Sequence, residues 1–158
     1  MSQHLGTKLT EELFHRLKGD AMASKTDKAI VIVTVDAAGW PHPAMLSYYE
    51  VVAKDRATID LAIGKTSVTA KNLRRAGKIA LLITDSDVNY YVKGSARELR
   101  DSMEDAPFMS LFRVAVEHLL EDLDPDGVIT SGVTFQRSEK KEVGEMVEKI
   151  FHSVRKEP

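Results

Sequence analysis

Ala57-Thr58-Ile59-Asp60-Leu61-Ala62-Ile63-Gly64-Lys65-Thr66-Ser67-Val68-Thr69-Ala70-Lys71-Asn72 is the stretch from which the rest of the chain is best read. Its first seven residues form an apolar run that reads as a strand, ended by a glycine. A helix then starts on hydroxyl side chains with lysines nearby. The first turn of a helix has backbone N–H groups without intrahelical partners and a partial positive charge, so it attracts phosphate. Thr66 or Ser67 reads equally as an ordinary N-cap, with Lys65 and Lys71 simply solvated. The neighbouring sequence has to decide between the two.

Upstream, Ala29-Ile30-Val31-Ile32-Val33-Thr34-Val35 is dense in β-branched residues and reads as a largely buried strand. Asp36-Ala37-Ala38-Gly39 is a turn, and residues 40–52 run back as a second strand. Pro41 and Pro43 cannot donate ladder hydrogen bonds, which makes the start of that strand an edge or a bulge. Residues 54–56 then turn into the quoted strand. Downstream, residues 66–76 form a short helix capped by Gly77. Residues 78–84 make a fourth strand and 88–99 a fifth, with Gly94 as a bulge or bend.

The apolar stripe of Phe108, Leu111, Phe112, Ala115, Val116, Leu119 and Leu120 predicts a helix over 107–122. A sixth strand is expected at 128–135. Helices at about 7–22 and about 138–155, the second capped by Ser138, complete the chain. Strands joined mostly by turns do not make a doubly wound parallel sheet, which needs a crossover between each pair. The expectation is a mainly β, six-stranded antiparallel barrel with peripheral helices, in one domain over 1–158.

The chain has 158 residues, a formal net charge of -2 and no cysteine. The charge balance and a pI near 6.2 tell against nucleic acid as a partner. Without cysteine there are no disulfides, thiolate metal sites or cysteine nucleophiles. The first six residues lack the apolar core of a signal peptide, and no run approaches the ~20 residues that span a bilayer. The expectation is a cytoplasmic protein without a membrane partner.

The element order resembles the FMN-binding split barrel of the pyridoxamine 5′-phosphate oxidase-like family. The resemblance rests on the strand Ile30 to Val35, on Gly39-Trp40-Pro41-His42-Pro43, on the third strand ending before Thr66-Ser67, and on Asn72-Leu73-Arg74-Arg75-Ala76-Gly77-Lys78-Ile79-Ala80-Leu81. It covers roughly residues 26–137. It implies a homodimer with FMN in a groove between subunits and the phosphate where the third strand meets the short helix. Carried over by position, Thr66 and Ser67 would hold the phosphate. Met45, Ser47 and Tyr49 would line the ring, and Ala62 and Ile63 would offer backbone groups to its polar edge. Thr69 stands where many relatives carry a lysine or arginine. Lys65, and after it Lys71, would then supply the counter-charge. The resemblance to true pyridoxamine phosphate oxidases stops at the C-terminus, where a helix replaces their basic substrate-recognising residues, so vitamin B6 oxidation is not expected.

His4, His15, His42, His118 and His152 are scattered, with no metal-binding spacing. His15, His118 and His152 are expected on exposed helix surfaces, and His42 either at the flavin groove or in a turn. A hydrolytic triad of Ser47, His42 and Asp60 is rejected, because no nucleophile elbow surrounds any serine. In Tyr48-Tyr49 and Tyr90-Tyr91, strand alternation sends one ring inward and the other outward. The function expected is electron transfer between a reduced donor and a small acceptor through FMN. The alternatives are a non-catalytic flavin, deazaflavin or haem module, and a cofactor-free interaction protein.

Overall fold

A computed structural model describes residues 1–158. Eight strands form one antiparallel sheet: β1 (Ser2–Gly6), β2 (Ala29–Val35), β3 (Pro41–Ser47), β4 (Val51–Asp55), β5 (Thr58–Gly64), β6 (Lys78–Asp85), β7 (Val88–Arg100) and β8 (Met109–Asp122). Three helices accompany it: α1 (Glu11–Leu17), α2 (Val68–Ala76) and α3 (Lys141–Lys156). The strand order is β3-β2-β6-β7-β8-β5-β4. The two end strands, β3 and β4, are joined by one 3₁₀ turn, Tyr48–Glu50, and do not pair with each other. The sheet thus curls into a split barrel. β8 is long enough to serve two partners on one edge, pairing β5 through Met109 to Ala115 and β1 through Leu119 to Asp122.

Alternation along the strands builds two cores. Ile59, Leu61 and Ile63 of β5 face the barrel interior with Ile30, Ile32, Leu81 and Phe112. Leu13 and Leu17 of α1 and Ala70 and Leu73 of α2 close onto this core. Ala62 faces the other way, into a second core of Tyr49, Val52, Met109 and Leu111 that Val147, Ile150, Phe151 and Val154 of α3 cover.

The barrel class is as expected, but it holds eight strands, not six. The expected second strand, 40–52, breaks at the 3₁₀ turn into β3 and β4. Residues 107–122 form β8, not a helix. Their alternation is hidden because β8 is sandwiched: Phe112, Val114 and Val116 fill the barrel while Met109 and Leu111 fill the second core. Residues buried on both sides read as a continuous apolar run, which cannot distinguish a strand from a helix.

Residues 128–135, expected as the sixth strand, lie against the sheet without joining a ladder. They are tied by Ala29 N–H to Val133 O, Phe135 N–H to Asp27 O, and a single bridge between Lys28 and Thr134. Gly132 permits this approach, since a Cβ there would stand 1.8 Å from the Thr84 carbonyl oxygen.

The first helix is shorter than 7–22. Thr10 caps it, accepting from Leu13 N–H at 3.1 Å. α3 starts at Lys141 and is preceded by Lys140; the Ser138 hydroxyl accepts from Lys140 N–H and does not cap it. Gly94 marks the expected bulge, where the β7–β8 register shifts. Tyr90 is buried and Tyr91 half-buried, as alternation requires. Tyr48 and Tyr49 are on the turn, not in a strand, and both are buried, one in each core.

Candidate functional site

β5 ends at Gly64, and the chain turns with Ser67 N–H bonded to Gly64 O at 3.0 Å. Ser67 is the N-cap of α2, and its hydroxyl accepts from Ala70 N–H at 3.1 Å. Lys71 N–H closes the first helical bond, to Ser67 O. The N–H groups of Thr66, Val68 and Thr69 meet no acceptor in the chain. Three donors therefore remain at the positive end of a nine-residue helix, the arrangement that suits a phosphate.

α2 is held firmly across the barrel end. Asn72 Nδ2 donates to Thr34 Oγ1 at 3.0 Å in a buried bond to β2. Arg75 donates to the Val35 carbonyl. Arg74 forks onto Glu98 of β7 and also reaches Lys65 O at 2.9 Å. Gly77 ends the helix at φ +65°, its N–H on Leu73 O. This left-handed conformation is why glycine stands there.

The two lysines differ in setting. Lys65 Nζ stands 2.8 Å from Asp101 Oδ2, and that pair, with the Arg74 guanidinium behind it, holds the Asp101 carboxyl below its ordinary range. Lys71 is exposed and forms no ion pair. Thr66 is exposed, Thr69 buried.

The other expected residues are distributed differently. Met45 is exposed on β3, while the Ser47 hydroxyl is bonded to Glu50 Oε2 at 3.0 Å, with Ser47 N–H on the same oxygen at 2.7 Å. Ala62 and Ile63 are buried, one in each core. Met45 and Ser47 help line an apolar groove of about 400 Å³ between β3, the segment 133–137 and α3. Thr34 lies opposite His42 and Val31 opposite Met45. Met45 is thus three residues, ~10 Å, along β3 from the strand position level with Asn72 of α2.

Within the groove, Glu50 is pushed up by burial, against the Ser47 bonds and the nearby Arg137 charge that pull it down. Sequence reasoning missed both Glu50 and Arg137. The first was read as part of a strand, and the second lies just past the expected sixth strand.

Asp60 is fully buried and bound by Arg113 through two bonds of 2.8 Å, cross-strand from β8 to β5. It is a structural ion pair, which supports rejecting the triad. His118 is on β8, not on a helix, and its ring nitrogen is 3.4 Å from that of His4. No three His, Asp or Glu side chains cluster as metal ligands. No helix is long and apolar enough to cross a membrane.

The architecture is an antiparallel split barrel in which β5 runs directly into the short helix α2. The chain belongs to the pyridoxamine 5′-phosphate oxidase family, whose sequence pattern matches residues 21–134. It is 32% identical over 136 residues to the uncharacterised protein YclD of Bacillus subtilis, covering 85% of this chain and 88% of that one. Solved structures share the fold at lower identity. A candidate pyridoxamine 5′-phosphate oxidase from Lactobacillus delbrueckii is 19% identical, with a TM-score of 0.60 over 74% of this chain and 98% of its own. HupZ of Group A Streptococcus is 17% identical, with a TM-score of 0.54 over 75% of this chain and 98% of its own. An FMN-binding protein from Syntrophomonas wolfei is 16% identical, with a TM-score of 0.53 over 72% of this chain and 89% of its own.

Proposed function

We propose that this protein is a homodimeric FMN-binding oxidoreductase that passes electrons between a reduced donor and a small acceptor. The observation that carries the reading is the set of three unpartnered N–H groups at Thr66, Val68 and Thr69, where the resemblance would put the phosphate. A phosphate there would be met by these donors, by the Thr66 hydroxyl and by a lysine. Lys65 can exchange Asp101 for the phosphate at little cost, because Asp101 is well exposed and solvent screens the pair. Lys71 needs no exchange, but it lies four residues beyond the N-cap. The bound isoalloxazine ring would supply the redox chemistry, and the protein its position and electrostatic setting.

Support for the dimer comes from the outer face of β2 and β3. The register places Val31, Val33 and Val35 beside Met45, Pro43 and Pro41 on that face, and Trp40 at its end is 71% exposed. An apolar sheet face of this kind suits a second copy of the chain.

The test is FMN affinity, followed by quenching of flavin fluorescence, in the wild type and in Lys65→Ala, Lys71→Ala and Ser67→Ala. A direct phosphate contact predicts a loss of about 1–3 kcal/mol for Lys65→Ala, and Ser67→Ala, which removes the cap that holds the first turn of α2, is expected to weaken FMN as well. A loss with Lys71→Ala alone would move the counter-charge to Lys71. Bleaching of bound flavin by NADH or NADPH would separate an enzyme from a flavin, deazaflavin or haem module without turnover.

A further inference from the structure

The pairing of β1 with β8 brings together two histidines that are 114 residues apart in the chain. His4 Nε2 stands 3.4 Å from His118 Nδ1, with ring centroids 5.6 Å apart and ring planes inclined at 59°. The register dictates this meeting. His4 is opposite Leu120, and His118 precedes Leu120 by two residues, so both imidazoles stand on the outer face of the sheet as diagonal neighbours. Leu119, between them in sequence, points the other way into the barrel core. Both histidines are exposed.

Water can satisfy an exposed imidazole, so neither ring needs the other. As a hydrogen bond the contact is weak, since a good one spans roughly 2.7–3.2 Å and only one of two facing nitrogens can carry the proton. As the bite of a metal site the spacing is suitable. Two imidazole nitrogens, each about 2.0–2.1 Å from a tetrahedral zinc ion, stand about 3.3–3.4 Å from one another. The surrounding charge is mixed. Glu117, the extra residue where the β7–β8 register shifts, lines the same hollow as His118, together with Lys78 and Lys93. Glu117 is engaged by Ser95 and Lys78, and Lys93, opposite His118, is exposed on a long side chain that can turn away into water.

We infer that His4 and His118 form a zinc site, with one nitrogen of each imidazole on the metal and water in its remaining positions. Imidazole suits zinc, copper and nickel, whereas magnesium and calcium take oxygen ligands. The site has a structural consequence. β1 pairs with β8 alone, and Ser2 to Leu5 are exposed, so a metal bridge would fasten a lightly held strand. The inference does not rest on flavin binding, since it uses no residue of the α2 cradle or of the groove beside α3.

The experiment is isothermal titration of the tag-free, metal-stripped full chain with zinc chloride, and separately with magnesium chloride, at about pH 7.5, where free imidazole is mostly neutral. One zinc per chain is expected at micromolar concentration, with no binding of magnesium. His4→Asn and His118→Asn should each weaken zinc at least tenfold, whereas His152→Asn, exposed on α3, should leave it unchanged. Zinc should also slow amide exchange at Gln3 to Leu5 in the wild type and not in His118→Asn. Zinc binding that appears only at millimolar concentration, equal affinity in wild type and His118→Asn, or an equal loss in His152→Asn would overturn the inference. FMN affinity, measured separately, can fail without affecting this result.

Discussion

Charged side chains in this barrel do different work according to whether they keep contact with water. Asp60 is sealed beneath the second core, while its partner Arg113 remains partly exposed at 21%. Removing the arginine therefore leaves a buried carboxylate unpaired, whereas removing the aspartate frees an arginine that can turn to solvent. Arg113→Ala is expected to cost on the order of 3–5 kcal/mol and Asp60→Ala clearly less, read from urea unfolding midpoints. Equal losses would contradict this account of the pair.

Asp85 gives the pH dependence. Burial pushes its carboxyl up, but bonds from Lys28, Ser86 N–H and Arg16 outweigh that and bring it down to about 2. The folded carboxyl thus ionises below the unfolded one, near ~3.9. Its contribution is fully present above about pH 4 and is lost as the pH falls toward 2. Asp85→Asn should lower stability at pH 6 and flatten the decline between pH 4 and 2, as followed by urea denaturation at each pH. An unchanged slope would remove Asp85 from the acid response.

At the scale of elements, α2 was the most legible in sequence and β8 the least. α2 announces itself by local chemistry, with a serine cap, helix formers and a terminal glycine, and none of these depends on the rest of the fold. β8 is defined by its neighbours, two cores and three partner strands, and its two-sided burial erases the alternation that would have revealed it. The 3₁₀ turn at Tyr48–Glu50 was hidden for a similar reason, since its aromatic residues suit a strand equally well. Arg137 carried no local signal at all, because its significance comes from what surrounds it in space. For α2 itself, the buried bond from Asn72 to Thr34 leads to a specific expectation. Asn72→Ala should cost about 1–3 kcal/mol and also weaken FMN, because the cradle moves with the helix. Destabilisation with unchanged FMN affinity would detach the cradle from α2.

For the whole molecule, the barrel class was legible because hairpin-joined strands exclude most alternatives, and the family through the resemblance carried by Gly39 to Pro43, Thr66-Ser67 and Asn72 to Leu81. Quaternary structure was not, since a face apolar enough for a partner has the same composition as one covered within the chain. Placing a charge on the outer face, as in Met45→Glu, should shift a dimer toward monomer in light scattering over a dilution series; a wild type that is monomeric throughout would dispose of the dimer. The central claim is that the open end of α2 holds a flavin phosphate. FMN titration, with the visible spectrum and thermal unfolding recorded together, addresses it most directly. The account predicts one FMN per chain, a perturbed flavin band, and stabilisation of about 2.7 kcal/mol at a hundredfold excess over Kd. A spectrum identical to free FMN and an unmoved unfolding midpoint would contradict it.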